Sequence, residues 1–191
     1  MKKIVAVLVL GLLLSGCALQ QALNMANLKY QMSDFANISW AGINLSNIKS
    51  VQDISVGDAA KATAALLRKD YNITFTINVL AKNSTTVPAA LHGFDYQMLL
   101  DGRTIVEGSN PKININVPAN GGRQIIPIPV RVNMGDVLKQ QTLESIVNFA
   151  KQMTEYGSGR PSNVAVKFRP YIKVGDSPVK LSYITLNKTL Q

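Results

Sequence analysis

Tyr71-Asn72-Ile73-Thr74-Phe75-Thr76-Ile77-Asn78-Val79-Leu80-Ala81 decides the fold class. Ile73, Phe75, Ile77 and Val79 fall on one parity, and Asn72, Thr74, Thr76 and Asn78 on the other. Successive strand side chains point to opposite faces, so this stretch predicts a strand with one apolar and one solvated face. Such a strand belongs in an antiparallel sheet packed on one side. The strands of a doubly wound parallel sheet, covered on both sides, would be apolar throughout.

The same alternation recurs on either side. Upstream, Phe35 to Ile48 carries Ile38 and Trp40 on one parity and predicts a first strand, with Gly42 as a bulge. Downstream, Asn83-Ser84-Thr85-Thr86 reads as a turn and Val87-Pro88 restarts the chain in extended form. Phe94, Tyr96 and Met98 predict a strand that Asp101-Gly102 turns into a hairpin, with Thr104 to Val106 returning. Ile113, Ile115 and Val117 alternate, and Asn120-Gly121-Gly122 turns the chain again. Ile126, Ile128, Val130 and Val132 face one way, with Pro127 and Pro129 on the other parity. Proline cannot donate to a ladder, so that strand is expected at an edge. Val164, Val166 and Phe168 give a strand with Pro170 after it, and Val179 to Asn187 a last strand.

Two segments are helical. Asp58 to Lys69 is rich in alanine, with Asp58 as the expected cap and Arg68 and Lys69 at the negative end. Leu143, Ile146, Val147 and Ala150 recur at helical spacing in a second helix, expected from a cap at Asp136 to Met153 and ended by Gly157-Ser158-Gly159. About seven short strands punctuated by turns, with two helices, predict a mainly β fold: an antiparallel β-sandwich.

Residues 71–132 resemble the type 2 late-embryogenesis-abundant family, the water-stress and hypersensitive-response domain. The resemblance is carried by Phe75-Thr76-Ile77-Asn78-Val79, Asn83, Val87-Pro88, Gly93-Phe94-Asp95-Tyr96, Asp101-Gly102, Gly108 and Ile126-Pro127-Ile128-Pro129-Val130. Asn83-Ser84-Thr85 departs from the family's Asn-Pro-Asn. The resemblance implies an immunoglobulin/fibronectin-like sandwich with a helix between late strands, and association with stress protection. Its motifs are structural punctuation and carry no chemistry.

The start of the chain sets an expectation about compartment. Lys2 and Lys3 precede Ile4 to Leu14, an apolar run of 11 residues. A spanning helix needs about 20, so the run reads as the core of a cleaved signal peptide. It closes on Leu14-Ser15-Gly16-Cys17, which resembles the bacterial lipobox. That resemblance implies diacylglycerol on the Cys17 thiol, cleavage before Cys17, and acylation of the new amino group. Ordinary cleavage after Ala18 is the alternative; the cysteine at the required place, alone in the chain, favours the lipobox. Two or more acyl chains anchor stably. With Ala18 and not Asp after the cysteine, the expected location is the outer membrane, with the domain facing the periplasm. The expected organisation is a lipoprotein signal peptide at 1–16, a lipidated tether at 17–33 and the sandwich domain at 34–191.

Loss of residues 1–16 removes Lys2 and Lys3 and lowers the formal net charge from +9 to +7. Beyond the signal the longest basic run is Arg68-Lys69, and without a dense basic cluster a nucleic-acid partner is not expected. One cysteine excludes an internal disulfide, and with a single histidine, His92, no zinc site is expected. Asp53 and Asp58 do not form a calcium loop, and no serine sits in Gly-x-Ser-x-Gly. Asp95 and Asp101 are the carboxylates that a fold could bring together. No catalytic, cofactor-binding or metal-binding residue is expected; lipidation at Cys17 is the one assigned modification. The expected function is a non-enzymatic, lipid-anchored envelope domain, structural or stress-protective. The alternative is a carrier or accessory subunit that binds an apolar ligand or a protein partner.

Overall fold

The computed structural model describes residues 24–138, 140–154, 162–174 and 177–190. Two antiparallel sheets face each other across one apolar core. The first holds β2 (Ile43–Asn44), β1 (Lys29–Trp40), β3 (Asn72–Asn83) and β8 (Gly122–Asn133), in that order. The second holds β9 (Ser162–Val174), β5 (Gly93–Leu100) and β6 (Arg103–Asn110). β10 (Ser177–Lys180) and β11 (Ile184–Leu190) both pair with the outer side of β9. A separate ribbon joins β4 (Ala89–Leu91) to β7 (Ile115–Val117). Strands from the two sheets interleave along the chain, as the expected immunoglobulin/fibronectin-like sandwich requires. Trp40, Phe94, Phe168, Ile73, Ile77 and Ile126 fill the space between the sheets.

β3 is the strand that the alternation predicted. Ile73, Phe75, Ile77, Val79 and Ala81 are buried, and it is paired along its length with β1 and β8. β1 begins at Lys29, earlier than the expected domain start at 34. Met25, Leu28 and Met32, expected in the tether, belong to the core, and the Tyr30 hydroxyl donates to the Met25 carbonyl at 3.3 Å. The tether reading missed this because polar Gln and Asn separate the buried residues. Gly42 is not a bulge: Ala41 (φ 52°) and Gly42 (φ 76°) form the tight turn that pairs Trp40 with Ile43. The irregularities of β1 lie instead at Met32/Asp34 and Ala36/Ser39.

The first helix, α1 (Val56–Leu67), starts two residues before Asp58 and is capped by Ser55, whose hydroxyl accepts from the Asp58 N–H at 3.1 Å. Asp58 sits in the first turn and accepts from the Ser55 hydroxyl and from Lys61. The alanine stripe packs through Ala62 and Ala65. The second helix, α2 (Leu143–Met153), is shorter than expected. Its cap is Thr142, which accepts from the Ser145 N–H, while Asp136 lies in a turn before it. Gly157-Ser158-Gly159 lies outside the described residues.

The proline positions follow from pairing. β8 ends its sheet, as Pro127 and Pro129 predicted. β9 runs through Pro170 to Val174, contrary to the expectation that the strand stops before the proline. On one side Pro170 stands opposite Phe94; on the other it falls between the pairings to β10 and β11. There its carbonyl accepts from the Leu181 N–H at 2.9 Å, so the missing N–H costs no ladder bond. The same gap splits the expected last strand into β10 and β11.

Candidate functional site

Two glycine–aromatic pairs organise the second sheet. Gly108 in β6 lies opposite Tyr96 in β5, and a Cβ at 108 would come within 2.7 Å of the Tyr96 ring. The ring occupies that space and reaches the first sheet, where its hydroxyl donates to the Pro129 carbonyl at 3.1 Å. On the outer face, a Cβ at Gly93 would come within 2.6 Å of Tyr171, which stands opposite it in β9.

Tyr171 leads to the main polar cluster. Asp95 lies on the outward parity of β5 yet is 8% exposed. Its carboxylate accepts from the Tyr171 hydroxyl and from Arg169, with the Arg169 Nε at 2.8 Å. Lys180 of β10 donates to it from 3.1 Å. The Arg169 guanidinium lies 4.5 Å from the Tyr183 ring, and Lys180 lies 4.8 Å from the Tyr171 ring. Beside them a depression of about 410 Å³ opens over Gln97, Glu107 and Ser109.

Burial pushes the Asp95 carboxyl up, but the hydrogen bonds from Tyr171, Arg169 and Lys180 outweigh it and leave the group below its ordinary range. Tyr171 is raised by burial and by donating to Asp95. Lys180 and Arg169 are raised by their hydrogen bonds, Arg169's to Asp95 and Lys180's to Tyr171 and Asp95. A carboxylate held ionised by three donors is a poor proton acceptor at neutral pH. The arrangement therefore acts as a clasp that ties β10 to β9 and β5.

Asn83, the last residue of β3, forms a second buried polar contact. It is fully buried, and its amide donates to the Val87 carbonyl at 2.9 Å and the Val117 carbonyl at 3.2 Å. Its side-chain oxygen accepts from the Thr85 N–H and hydroxyl. One side chain thus closes the turn after β3 and ties it to β7.

Among the residues singled out from sequence, Cys17 lies outside the described residues. Asp95 and Asp101 do not come together. Asp101 turns the hairpin and accepts from the Asn163 N–H, six residues along β5 from Asp95, or ~20 Å. His92 is half-buried, and its backbone N–H donates to the Tyr171 carbonyl. Asp53 accepts from the Lys49 and Ser50 N–H groups, so it and Asp58 each serve a local turn. Among the described residues no three His, Cys, Asp or Glu side chains gather as for a metal ion. Sequence reasoning missed Arg169, Tyr171, Lys180 and Tyr183. The available signal was an acid on the outward parity of an otherwise apolar strand, but its partners depend on register.

No family model matches this chain, and no curated protein does. Solved structures do match. One is a protein from Archaeoglobus fulgidus, with 14% identity and a TM-score of 0.39 over 63% of this chain and 85% of that one. Another is the solution structure of a candidate late embryogenesis abundant protein, with 13% identity and a TM-score of 0.38 over 98% of this chain and 83% of that one.

Proposed function

We propose that this chain is a non-enzymatic, lipid-anchored domain of a bacterial cell envelope, with a sandwich of the type 2 late-embryogenesis-abundant kind. Acyl chains on Cys17 hold it at the outer membrane, and the domain faces the periplasm as a structural or stress-protective binder. The observation that carries this reading is Cys17, placed after Leu14-Ser15-Gly16 at the end of an apolar run too short to span a bilayer. The non-enzymatic part is supported by the commitment of Asp95 to Arg169, Tyr171 and Lys180. The family part is supported by the roles of the resembling positions: Asn83 closes the β3 turn, Gly108 admits Tyr96, and Tyr96 binds Pro129.

A carrier or accessory role has less behind it. Strand addition at β8 would meet Pro127 and Pro129, which offer no N–H, and a Pro129 carbonyl already held by Tyr96. A ligand between the sheets would have to displace Phe94 and Phe168, whose tilted rings lie with centroids 5.3 Å apart.

The test is labelling with radioactive palmitate and fractionation of cells that express the protein or its Cys17→Ser variant. The natural protein should take up label and stay with membranes through a high-salt wash, and the variant should do neither. A variant that stays in the washed membranes would refute the anchor. Unchanged desiccation, osmotic and detergent tolerance on deletion of the gene would refute the protective role.

A further inference from the structure

Three cations stand in one row across the first sheet. Lys29 of β1 lies opposite Lys82 of β3, and Lys82 lies opposite Arg123 of β8. All three are on the outer face, since Ala81 and Asn83 on the other parity are buried. Like charges directly opposite on neighbouring strands destabilise a sheet. Among the described residues no carboxylate forms an ion pair with any of the three.

Apolar side chains lie beside the row. The adjacent row is Gln31, Leu80 and Ile125, with Ile125 39% exposed. At the same end, the loop that follows Asn83 presents Val87, 42% exposed, and exposed Pro88. Cations flanked by exposed apolar side chains suit a bilayer interface, where the cations meet phosphates and the apolar groups enter the headgroup layer.

The row also lies where the chain enters the fold. Asn24 and Met25 are already buried, and seven residue steps separate Cys17 from Asn24, a reach of at most ~25 Å. We propose that this end of the sandwich docks on anionic phospholipid headgroups through Lys29, Lys82 and Arg123, with Val87 and Ile125 entering the interface. The proposal rests on the lipid-anchor reading of Cys17. Docking would fix the orientation of an anchored domain, holding β4, β7 and the β3 turn at the membrane and α1 away from it.

The test uses the lipidated protein purified from membranes, with Val87→Cys carrying a nitroxide and Ala60→Cys on α1 as the distant control. Each is bound to vesicles of phosphatidylcholine alone or mixed with phosphatidylglycerol. The expected result is that a water-soluble relaxation agent reaches residue 87 less readily on the anionic vesicles, with residue 60 unaffected. Added salt should reverse the difference. The triple variant Lys29→Glu, Lys82→Glu, Arg123→Glu should abolish it, since the docking equilibrium constant falls about fivefold for each positive charge lost and reversing the charges lowers it further. An unchanged urea midpoint shows that the triple variant is folded. Equal accessibility of residue 87 on both vesicles, or a difference that survives the triple variant, overturns the proposal. The two readings fail differently: protein that floats with both vesicles but shows no composition dependence refutes the row alone. Protein that floats only with anionic vesicles refutes the anchor and supports the row, and protein that floats with neither refutes both.

Discussion

Replacing Gly108 with alanine tests the contact that joins the two sheets. An ideal Cβ at 108 would lie 2.7 Å from Cζ and from the hydroxyl oxygen of Tyr96, and 2.8 Å from Cε1. Carbon atoms pack at ~3.5–4.0 Å, so the ring must move by about 1 Å. Overpacking of this kind costs ~1–3 kcal/mol. Moving the ring also breaks the 3.1 Å bond to the Pro129 carbonyl, a loss of ~0.5–1.5 kcal/mol. Removing a strand glycine returns ~0.5–1 kcal/mol. Gly108→Ala should therefore destabilise the fold by about 0.5–4 kcal/mol. In a Tyr96→Leu background the obstructing ring is gone, and the same substitution should stabilise by ~0.5–1 kcal/mol. The sign reverses, with a coupling of about 1.5–4.5 kcal/mol. Urea unfolding followed by fluorescence measures it, because Trp40 is the only tryptophan and is buried, donating to the Asp70 carbonyl at 2.7 Å. Equal cost of Gly108→Ala in both backgrounds would refute the reasoning, since the Tyr96 ring would then not be what requires glycine.

The further predictions concern three polar side chains, Asp95, Tyr171 and Asn83. Asp95→Asn should destabilise the fold at neutral pH by on the order of 1 kcal/mol, a value discounted because Lys180 and part of Arg169 face solvent. The folded carboxyl titrates below its unfolded value of ~3.9, so its contribution is complete above that pH and is lost as pH falls through the folded pKa. Tyr171 is raised instead; its contribution is complete below ~10 and is lost as pH rises through the folded pKa. Urea midpoints should thus show the Asp95→Asn gap closing in acid and a Tyr171→Phe gap closing in strong alkali; a gap constant from neutral to strongly acid pH would remove Asp95 from the clasp. Asn83→Ala should cost ~2–4 kcal/mol, because the Val87 and Val117 carbonyls lose their donor. Asn83→Asp should be at least as harmful in the same assay, because it sets an acceptor against both carbonyls; tolerance of Asp would contradict the assignment.

Local chemistry was legible in the sequence wherever the signal repeats along the chain. The alternation from Ile73 to Val79 gave β3 and its buried face, Asp101-Gly102 gave the hairpin, and the proline pair placed β8 at an edge. These readings hold because side-chain parity and missing N–H groups act within a few residues. Helix starts were harder. Ser55 and Thr142 cap where Asp58 and Asp136 were expected, since several polar residues before a helix can cap it and packing chooses among them.

What the sequence by itself determined is the strand periodicity, the mainly β class and the unusual placement of Cys17. Only the tertiary structure decided the rest: that Met25 and Leu28 join the core, that Pro170 falls in a gap between two partners, and that Asp95 meets Arg169, Tyr171 and Lys180. The row of Lys29, Lys82 and Arg123 belongs with these. The physical reason is register. A one-residue slip between strands exchanges every partner and every face, so residues as distant in sequence as Asp95 and Lys180 become neighbours only once pairing is fixed.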